Sequence, residues 1–530
     1  MDSTPLSFLL GWARETSILL LIVGAIAIYV RKDQHRDAFI FESSHPIYPK
    51  GSTGRSPVVR IGPNKISVNS ASAIRQIYNR KANVKKGDWY KTLYTSASRA
   101  HTVQTETNPK KYAFRRRLME YAFSDAALRS SEDFIIENVQ TCCKLLSKTA
   151  VTPGEWGTPQ AMHDWSTYLN YDIMGDLTFG TKFNCMTSEE HRNIPHLIVT
   201  ATQYIYALGY LPFARLVRPL IGTKLLEVLG GKFARDGKYF LNYARHQKDL
   251  RLKATEKNDP DYPKKDLMHF LINARDPETG QGLSHIELDA ESNLLMSAGS
   301  DTTATTLAGA LFYLIHFPEC LEKAATEVRS TFDHFEDIKG GSKLNSLVYL
   351  RACIDETLRL SPPVTTNLMV EALPGGLTVE GNYFPKGTTL GIAPYVVNHN
   401  TRYYPDPFVY RPERWIPSNK HCSVLTEDEK STPESVAAAR SAFFTFSAGP
   451  RACLGKNLAY LELLLTLAML LFKFDIRLPQ DKKYREKSGG GVPSNKHPGR
   501  RRCDEYQLVD CFIPFKQGPM AEFRERNLSD

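Results

Sequence analysis

Residues 446–455 read Phe-Ser-Ala-Gly-Pro-Arg-Ala-Cys-Leu-Gly and run directly into an apolar stretch, 455–472, that predicts a helix. Glycine and proline interrupt the first segment, which indicates a loop ending where the helix begins. A cysteine at a helix start meets free backbone N–H groups and the positive end of the helix dipole, which both favour the thiolate. Arg451 adds a positive charge two residues away. Cys453 is therefore a candidate metal ligand, and the alternative is an inert buried thiol.

The other cysteines lack this context. The chain has nine cysteines in 530 residues, without a C-x-x-C pair or the spacing of a zinc finger. A chain of this length can bury a large core and does not need a disulfide scaffold. We expect eight reduced thiols without assigned chemistry in a cytosol-facing protein, at Cys142, Cys143, Cys185, Cys320, Cys353, Cys422, Cys503 and Cys511.

The spacing around Cys453 resembles a known signature. The pattern Phe-x-x-Gly-x-Arg-x-Cys-x-Gly over 446–455 is similar to the heme-binding motif of the cytochrome P450 family. The resemblance covers about residues 56–530, and three further segments match family motifs in the right order: Ala298–Thr303, the E-x-x-R of Glu356 and Arg359, and Tyr410–Trp415. It implies a mainly α fold with small β-sheets, in which heme b lies between a long central helix and the cysteine loop.

The central helix is also indicated by the sequence itself. Ser284 and Glu287 have capping-box spacing, and an apolar pattern continues to Phe317, where Pro318 ends it. Within this helix, residues 298–303 include Gly, Asp and Thr, which disfavour helix in a buried position. A local defect in a long buried helix indicates a functional site.

The family resemblance assigns roles to this segment and to the cysteine. It implies that Cys453 is the axial ligand of the heme iron, because a thiolate ligand favours cleavage of dioxygen. It also implies that Asp301 and Thr302 relay protons and hold water where the helix opens. Gly299 matches the position where the helix and oxygen come close.

The resemblance further implies which residues hold the cofactor. Tyr112 and Arg116 match the family's W/H-x-x-x-R, whose arginine pairs with a heme propionate. Arg451 is the second propionate candidate, and Phe446, the first position of the signature, is counted with the cofactor-binding residues. The two arginines that flank Arg116 are predicted to lie at the surface, and a basic surface is the alternative for all three.

Glu356 and Arg359, spaced i and i+3, share one face of a predicted helix. In the family this pair joins the arginine that matches Arg414. The resemblance therefore implies a structural clamp near the heme loop, with no catalytic role.

The chain departs from the family pattern in two places. Residues 31–57, between the N-terminal apolar run and the first predicted strand, are too few for the hinge and amphipathic helix that relatives carry. Either the domain is trimmed there or a segment has been lost. Many relatives have arginine at the position of Val370, so a third propionate partner is absent and a weaker grip on heme is expected.

Outside the motifs, periodicity predicts a coarse order of elements. Alternating residues at 56–68 around a Gly-Pro turn predict a β-hairpin. Residues 71–370 are mainly helical in pattern, and 372–397 return to strands and turns. Residues 484–502, rich in Gly, Pro and basic side chains, indicate a flexible surface loop.

The N-terminus predicts the location. The apolar run Ser17–Val30 reaches spanning length when Leu6–Ala13 is added. Positive charges follow at Arg31 and Lys32 and place the next domain in the cytoplasm. A cleaved signal peptide is the alternative. We expect an endoplasmic-reticulum protein that crosses the membrane once and has a cytosolic catalytic domain, with a membrane anchor at 1–30, a linker at 31–55 and a heme-thiolate domain at 56–530.

Composition limits the function classes. Hydrophobic residues make up 42% and charged residues 23%, which excludes a largely disordered chain. A net charge of +10 favours an acidic partner. Heme propionates, the lipid bilayer and a reductase supply such partners, so nucleic acid is not expected. The chain contains no G-x-S-x-G, H-E-x-x-H, Walker A or G-x-G-x-x-G motif, so these catalytic schemes find no support.

The resemblance implies a monooxygenase. We expect an enzyme that takes two electrons from an NADPH-cytochrome P450 reductase, inserts one oxygen atom into an apolar small molecule and releases water. Residues 60–64, 176–180 and 506–510 look like fungal microsomal members, which implies secondary-metabolite biosynthesis. Two alternatives stay open: an oxygen-independent isomerase or dehydratase of the same family, and a heme-free, membrane-tethered binding protein.

Overall fold

The computed structural model describes residues 57–94, 100–210, 223, 231–257 and 265–527. The predicted anchor, 1–30, and linker, 31–55, therefore lie outside the described residues. The prediction of one domain at 56–530 stays a prediction.

Helices account for most of the regular structure in the described residues, in agreement with the mainly α prediction. They are α1 (Ala71–Tyr78), α2 (Pro109–Ala122), α3 (Asp125–Ser147), α4 (Met162–Phe179), α5 (Asn193–Tyr210), α6 (Gly231–Glu256), α7 (Leu267–Asn273), α8 (His285–His316), α9 (Pro318–Thr331), α10 (Ser342–Asn345), α11 (Val348–Leu360), α12 (Pro394–Asn398), α13 (Pro433–Ala442), α14 (Lys456–Lys473) and α15 (Lys482–Arg485).

The strands are short and form small sheets. They are β1 (Val58–Gly62), β2 (Lys65–Val68), β3 (Val84–Lys86), β4 (Gln160–Ala161), β5 (Val370–Ala372), β6 (Leu377–Val379), β7 (Asn382–Phe384), β8 (Thr389–Gly391), β9 (Phe474–Arg477), β10 (Leu508–Val509), β11 (Phe515–Lys516) and β12 (Met520–Glu525). One sheet has the order β1-β2-β8-β5-β3, another β4-β12-β9, and two are the pairs β6-β7 and β10-β11. The hairpin predicted at 56–68 is the antiparallel pair of β1 and β2.

The long helix α8 begins where its capping signal predicts. The Ser284 hydroxyl accepts from the Glu287 N–H, and the Glu287 carboxylate accepts from the Ser284 N–H at 2.9 Å. The helix ends at His316, next to Pro318. The capping box therefore fixes one end of the helix and proline the other.

The interior of α8 differs from the expectation of an opening at 298–303. The α-helix continues through this segment without a break, so the predicted defect was wrong as a break in the helix. The hydroxyls of Thr302, Thr305 and Thr306 each donate to the carbonyl four residues earlier, at 2.7 to 2.9 Å. These bonds keep the threonines within the helix, and burial of its flanks outweighs their low helix propensity.

Packing around α8 builds the core. Most side chains of its C-terminal half, residues 303–315, are buried. The helix contacts α4, α11 and α14, and α14 also contacts α3 and α9. The helix that follows the cysteine loop is therefore fixed directly to the long central helix.

Among the described residues, no single helix is both long enough and apolar enough to cross a membrane. Helices α8 and α9 reach that length and apolar composition only as a pair, which is bent by 111°.

Candidate active site

The loop before α14 is closed by its own backbone. The Cys453 N–H donates to the Phe446 carbonyl at 2.9 Å, and the Ala452 N–H donates to the Gly449 carbonyl at 3.0 Å. Gly449 has a φ of +64°, and a Cβ there would lie 1.8 Å from the Tyr78 carbonyl oxygen. Only glycine fits this close approach to α1, which explains the residue type at the second fixed position of the motif.

The Cys453 thiol is exposed, although protein surrounds it. Burial raises the pKa of the thiol, whereas the N–H groups of Gly455 and Lys456 and the charges of Arg116 and Lys456 lower it. The net pKa shift is upward. These N–H groups and charges therefore do not by themselves produce the expected preference for the thiolate.

Cationic and aromatic side chains lie beside this loop. Arg116 donates to the Ala452 carbonyl at 2.6 Å, and Arg451 donates to the Glu106 carbonyl at 2.9 Å. The Arg451 guanidinium also lies 3.5 Å from the ring centroid of Tyr112, whose hydroxyl donates to the Pro450 carbonyl at 2.6 Å. The structure thus brings Tyr112, Arg116 and Arg451 together at the cysteine loop.

These side chains fit a dianionic macrocycle bound through sulfur. Arg451 forms no ion pair with a carboxylate among the described residues, and Arg116 pairs with the half-exposed Glu120 at 2.8 Å. The same loop carries the Cys453 sulfur, and a cysteine thiolate is a known ligand of heme iron. The donor set therefore suits heme, whose propionates can pair with the arginines.

Phe446 supports the loop from the side. Its ring lies 5.3 Å from the ring of Tyr460 on α14, and Lys456 lies over its face at 5.7 Å. These are contacts with protein groups. The assignment of Phe446 as a cofactor-binding residue stays a prediction.

One prediction about the arginine run was wrong. Arg115 was expected at the surface, but it is buried and pairs with Glu287 of α8 at 2.8 Å. Arg117 is partly exposed and pairs with Asp276 at 2.6 Å. Arg115 and Arg116 contact different parts of the protein, because consecutive side chains on a helix are rotated by about 100° around its axis.

Asp301 is fully buried in α8. Tyr171 of α4 donates to its Oδ2 at 2.8 Å, while its Oδ1 has no hydrogen-bond partner among the described residues. Burial raises the pKa of the Asp301 carboxyl, and Lys516, the Tyr171 hydroxyl and His196 lower it in part. The net shift is upward, which suits a carboxyl group that gives and takes a proton.

Thr302 occupies a different face from Asp301. Its hydroxyl donates to the Ala298 carbonyl at 2.7 Å and is only partly buried. The structure shows no hydrogen bond between the Asp301 and Thr302 side chains. The two groups are adjacent in sequence but reach toward different surroundings.

Gly299 packs against a neighbouring helix. A Cβ at this position would lie 2.7 Å from Sδ and Cε of Met174 on α4. The glycine therefore allows close approach of α8 and α4. A role for Gly299 near oxygen stays a prediction.

Sequence reasoning missed two residues near Asp301. Tyr171 lies 130 positions away in sequence, and Lys516 comes from β11 near the C-terminus. Lys516 is buried, and burial lowers its pKa while Asp301 raises it. The position of Lys516 after the apolar run Phe512–Phe515 was a weak sequence signal for this contact. A single charge next to apolar residues indicates a charged partner, but the sequence does not identify that partner.

Glu356 joins the two arginines predicted for it. Arg359 donates to both carboxylate oxygens at 2.9 and 2.8 Å, and Arg414 donates to Oε1 at 2.9 Å. Trp415 Nε1 adds a bond to Oε2 at 2.9 Å. Arg359 also donates to the Pro407 carbonyl at 2.7 Å. The three charged groups are buried together and tie α11 to the segment 407–415.

Comparison with known proteins identifies the family. The family model described as Cytochrome P450 matches residues 51–499. The chain belongs to the cytochrome P450 family. The resemblance read from the sequence is thereby confirmed, and this P450 is an oxidoreductase with heme b as its cofactor.

Curated relatives are fungal P450 monooxygenases. The cytochrome P450 monooxygenase atnE of Emericella nidulans is 36% identical over 490 residues, covering 89% of this chain and 85% of the relative. The cytochrome P450 monooxygenase fscF of Fusarium equiseti is 34% identical over 477 residues, with 89% and 85% covered. These similarities confirm the monooxygenase prediction.

Solved structures agree on the fold. The crystal structure of the cytochrome P450DA heme domain matches with a TM-score of 0.65 at 18% identity, covering 88% of both chains. A second P450 crystal structure matches with a TM-score of 0.66 at 19% identity, covering 89% of this chain and 94% of the other. The predicted P450 fold is confirmed, and at this identity the likeness concerns the fold alone.

Proposed function

We propose that this P450 inserts one atom of dioxygen into an apolar small molecule of fungal secondary metabolism, with its heme iron bound by Cys453. The observation that carries the proposal is the enclosed but accessible Cys453 thiol, with Arg116 and Arg451 beside its loop. Cys503 is also exposed but lies outside the motif. Cys453 is therefore the thiol with the surroundings of a heme ligand.

The loop and α2 supply the groups that hold the cofactor. We assign Arg116 and Arg451 to the propionates, and the cation–π contact of 3.5 Å between Arg451 and Tyr112 supports this assignment. The N–H groups near Cys453 donate toward its sulfur. Heme b, when bound, supplies the iron at which dioxygen is reduced and cleaved, and a thiolate ligand favours that cleavage.

Proton delivery is assigned to α8. The free Oδ1 of Asp301 is available to accept and release a proton, while Tyr171 holds Oδ2. The Thr302 hydroxyl donates to the Ala298 carbonyl, so its oxygen lone pairs stay available to hold a water molecule. Asp301 acts as the proton donor and Thr302 positions the water.

Glu356, Arg359 and Arg414 are assigned a supporting role. They form a buried ion triad, to which we assign no contact with substrate. The triad fixes α11 against the segment that leads to the cysteine loop. Their loss is expected to affect folding and heme incorporation before it affects the chemistry.

The proposed setting is the cytosolic face of the endoplasmic reticulum. The apolar run 17–30 followed by Arg31 and Lys32 supports a single anchor. The electron donor is an NADPH-cytochrome P450 reductase, and the net charge of +10 favours an acidic docking face on that partner. The chain has no dinucleotide motif of its own.

Turnover with labelled dioxygen tests this function. The membrane-bound protein is combined with a fungal NADPH-cytochrome P450 reductase and offered an extract of apolar fungal metabolites. We expect NADPH-dependent products that carry one labelled oxygen atom. Products that form without NADPH and without label would contradict the proposal and favour the isomerase or dehydratase alternative.

A further inference from the structure

A half-buried lysine lies beside the proposed propionate site. Lys86 is the last residue of β3, and its ammonium donates to the Gln104 carbonyl and sits 3.9 Å from the ring centroid of Tyr90. Arg451 is close enough to lower its pKa, after the larger effect of burial. Lys86 retains some accessible surface, although protein surrounds it.

The charges in this cluster do not balance. Among the described residues, neither Lys86 nor Arg451 forms an ion pair with a carboxylate. Glu106 is the acid that interacts with Arg451, and its carboxylate accepts from the Asn108 N–H at 2.8 Å. Two enclosed cations held near each other are costly unless an anion lies between them. The cluster therefore points to an anionic ligand that contacts both side chains.

The register of β3 and β5 relates Lys86 to Val370. In the antiparallel pair of β3 and β5, Lys86 lies directly opposite Val370. Residues opposite each other in such a pair project from the same face, with Cβ atoms about 4.5–5.5 Å apart. Val370 is the position at which the family resemblance implies an arginine. A cation at residue 86 therefore projects to the same side of the sheet as a cation at residue 370 would.

We propose that the Lys86 ammonium binds a heme propionate and replaces, from the neighbouring strand, the arginine missing at Val370. This inference rests on the proposed heme site at Cys453. It revises the expectation of a weaker grip on heme, because the third cation is supplied by β3.

Heme loss and reduction potential test the proposal. In the full chain, Lys86→Gln removes the charge and keeps a hydrogen-bond donor for the Gln104 carbonyl. Transfer of heme to apomyoglobin is expected to become about tenfold faster. The variant replaces a hydrogen bond from a charged group by one from a neutral group, and the difference in their free energies corresponds to about this factor. The reduction potential is expected to fall, because a positive charge near the iron stabilises the reduced state. Lys86→Gln combined with Val370→Arg is expected to restore both values.

A matched control uses the adjacent lysine. Lys85 pairs with Glu371 at 3.2 Å and is about a quarter exposed. Lys85→Gln is expected to leave heme loss and potential unchanged. The proposal is overturned if Lys86→Gln behaves like Lys85→Gln in both measurements, or if heme loss rises while the potential stays constant, which would indicate a purely structural contact.

A second variant decides the matter if Lys86→Gln does not fold. Lys86→His carries a charge only below about pH 6.5, so its heme loss and potential should change across that pH relative to wild type. A pH-independent difference would refute the proposal. Failure of the Cys453 assignment is recognised separately, by the position of the reduced carbon monoxide band in the wild-type chain.

Discussion

Glu356 shows how one side chain can hold two segments together. Burial raises the pKa of its carboxyl, but Arg359, Arg414 and the Arg411 N–H outweigh burial, and the net pKa shift is downward. A carboxylate with a lowered folded-state pKa stabilises the fold above its unfolded pKa and loses that effect as pH falls through the folded value.

Glu356→Gln is expected to lower the free energy of unfolding by about 3–5 kcal/mol at pH 7, because two buried arginines lose their partner. The difference from wild type should begin to shrink below the ordinary glutamate pKa of about 4.3 and should vanish only as pH falls through the lower folded-state pKa, where the native carboxylate is protonated too. Denaturant unfolding over a series of pH values from 7 downward measures it. Glu278→Gln, at a pair with Arg117 in which the glutamate is mostly exposed, should change stability by no more than about 1 kcal/mol. An equal effect of the two variants would contradict the clamp.

Thr302→Ala is expected to uncouple electron use from product formation. Product should fall at least about tenfold while NADPH consumption changes little and hydrogen peroxide is released. Thr306→Ala is the control, because Thr306 makes the same bond to the carbonyl four residues earlier, at 2.9 Å, and is buried one turn away. Unchanged coupling in Thr302→Ala would count against its role in holding water.

Residues near in sequence were predictable, and distant ones were not. The spacing of Glu356 and Arg359 predicts a shared helix face, and the structure pairs them. Tyr171, Lys516 and Lys86 reach the site through contacts between elements far apart in the chain, for which no local pattern exists. Arg414 was predictable only through the family resemblance.

At the scale of elements, end signals were more reliable than interior ones. The capping box at Ser284 and the stop at Pro318 predicted α8, because caps act locally on free backbone groups. The expected opening at 298–303 was wrong, because threonine hydroxyls bond within the helix and tertiary packing overrides propensity. The sheet register that places Lys86 opposite Val370 could not be predicted from either strand alone.

Gly449→Ala is expected to displace the cysteine loop. The residue has positive φ, and its Cβ would collide with the Tyr78 carbonyl, so the strain exceeds about 1 kcal/mol. The ratio of heme absorbance to protein absorbance should drop. Gly381→Ala is the control, because Gly381 also has a positive φ, of +75°, but lies in the turn between β6 and β7 and a Cβ there would meet no atom within 4 Å. Similar heme content in both variants would contradict the argument for the loop.

At the scale of the whole molecule, the catalytic domain and the anchor are expected to be separable. Deleting residues 1–30 should move the protein from the membrane pellet to the supernatant, because the apolar run supplies most of the membrane affinity. Fractionation of cells that express each form measures this, and the heme spectrum of the shortened chain should be unchanged. Retention of the shortened chain in the pellet would show that another surface binds the membrane.

The central claim is that Cys453 binds the heme iron as a thiolate. The most direct measurement is the absorbance of the reduced carbon monoxide adduct of the full chain, with Cys453→Ala as the comparison. We predict a band at ~450 nm for the wild-type chain and loss of that band in the variant. A wild-type band at ~420 nm, or an unchanged ~450 nm band in Cys453→Ala, would contradict the assignment.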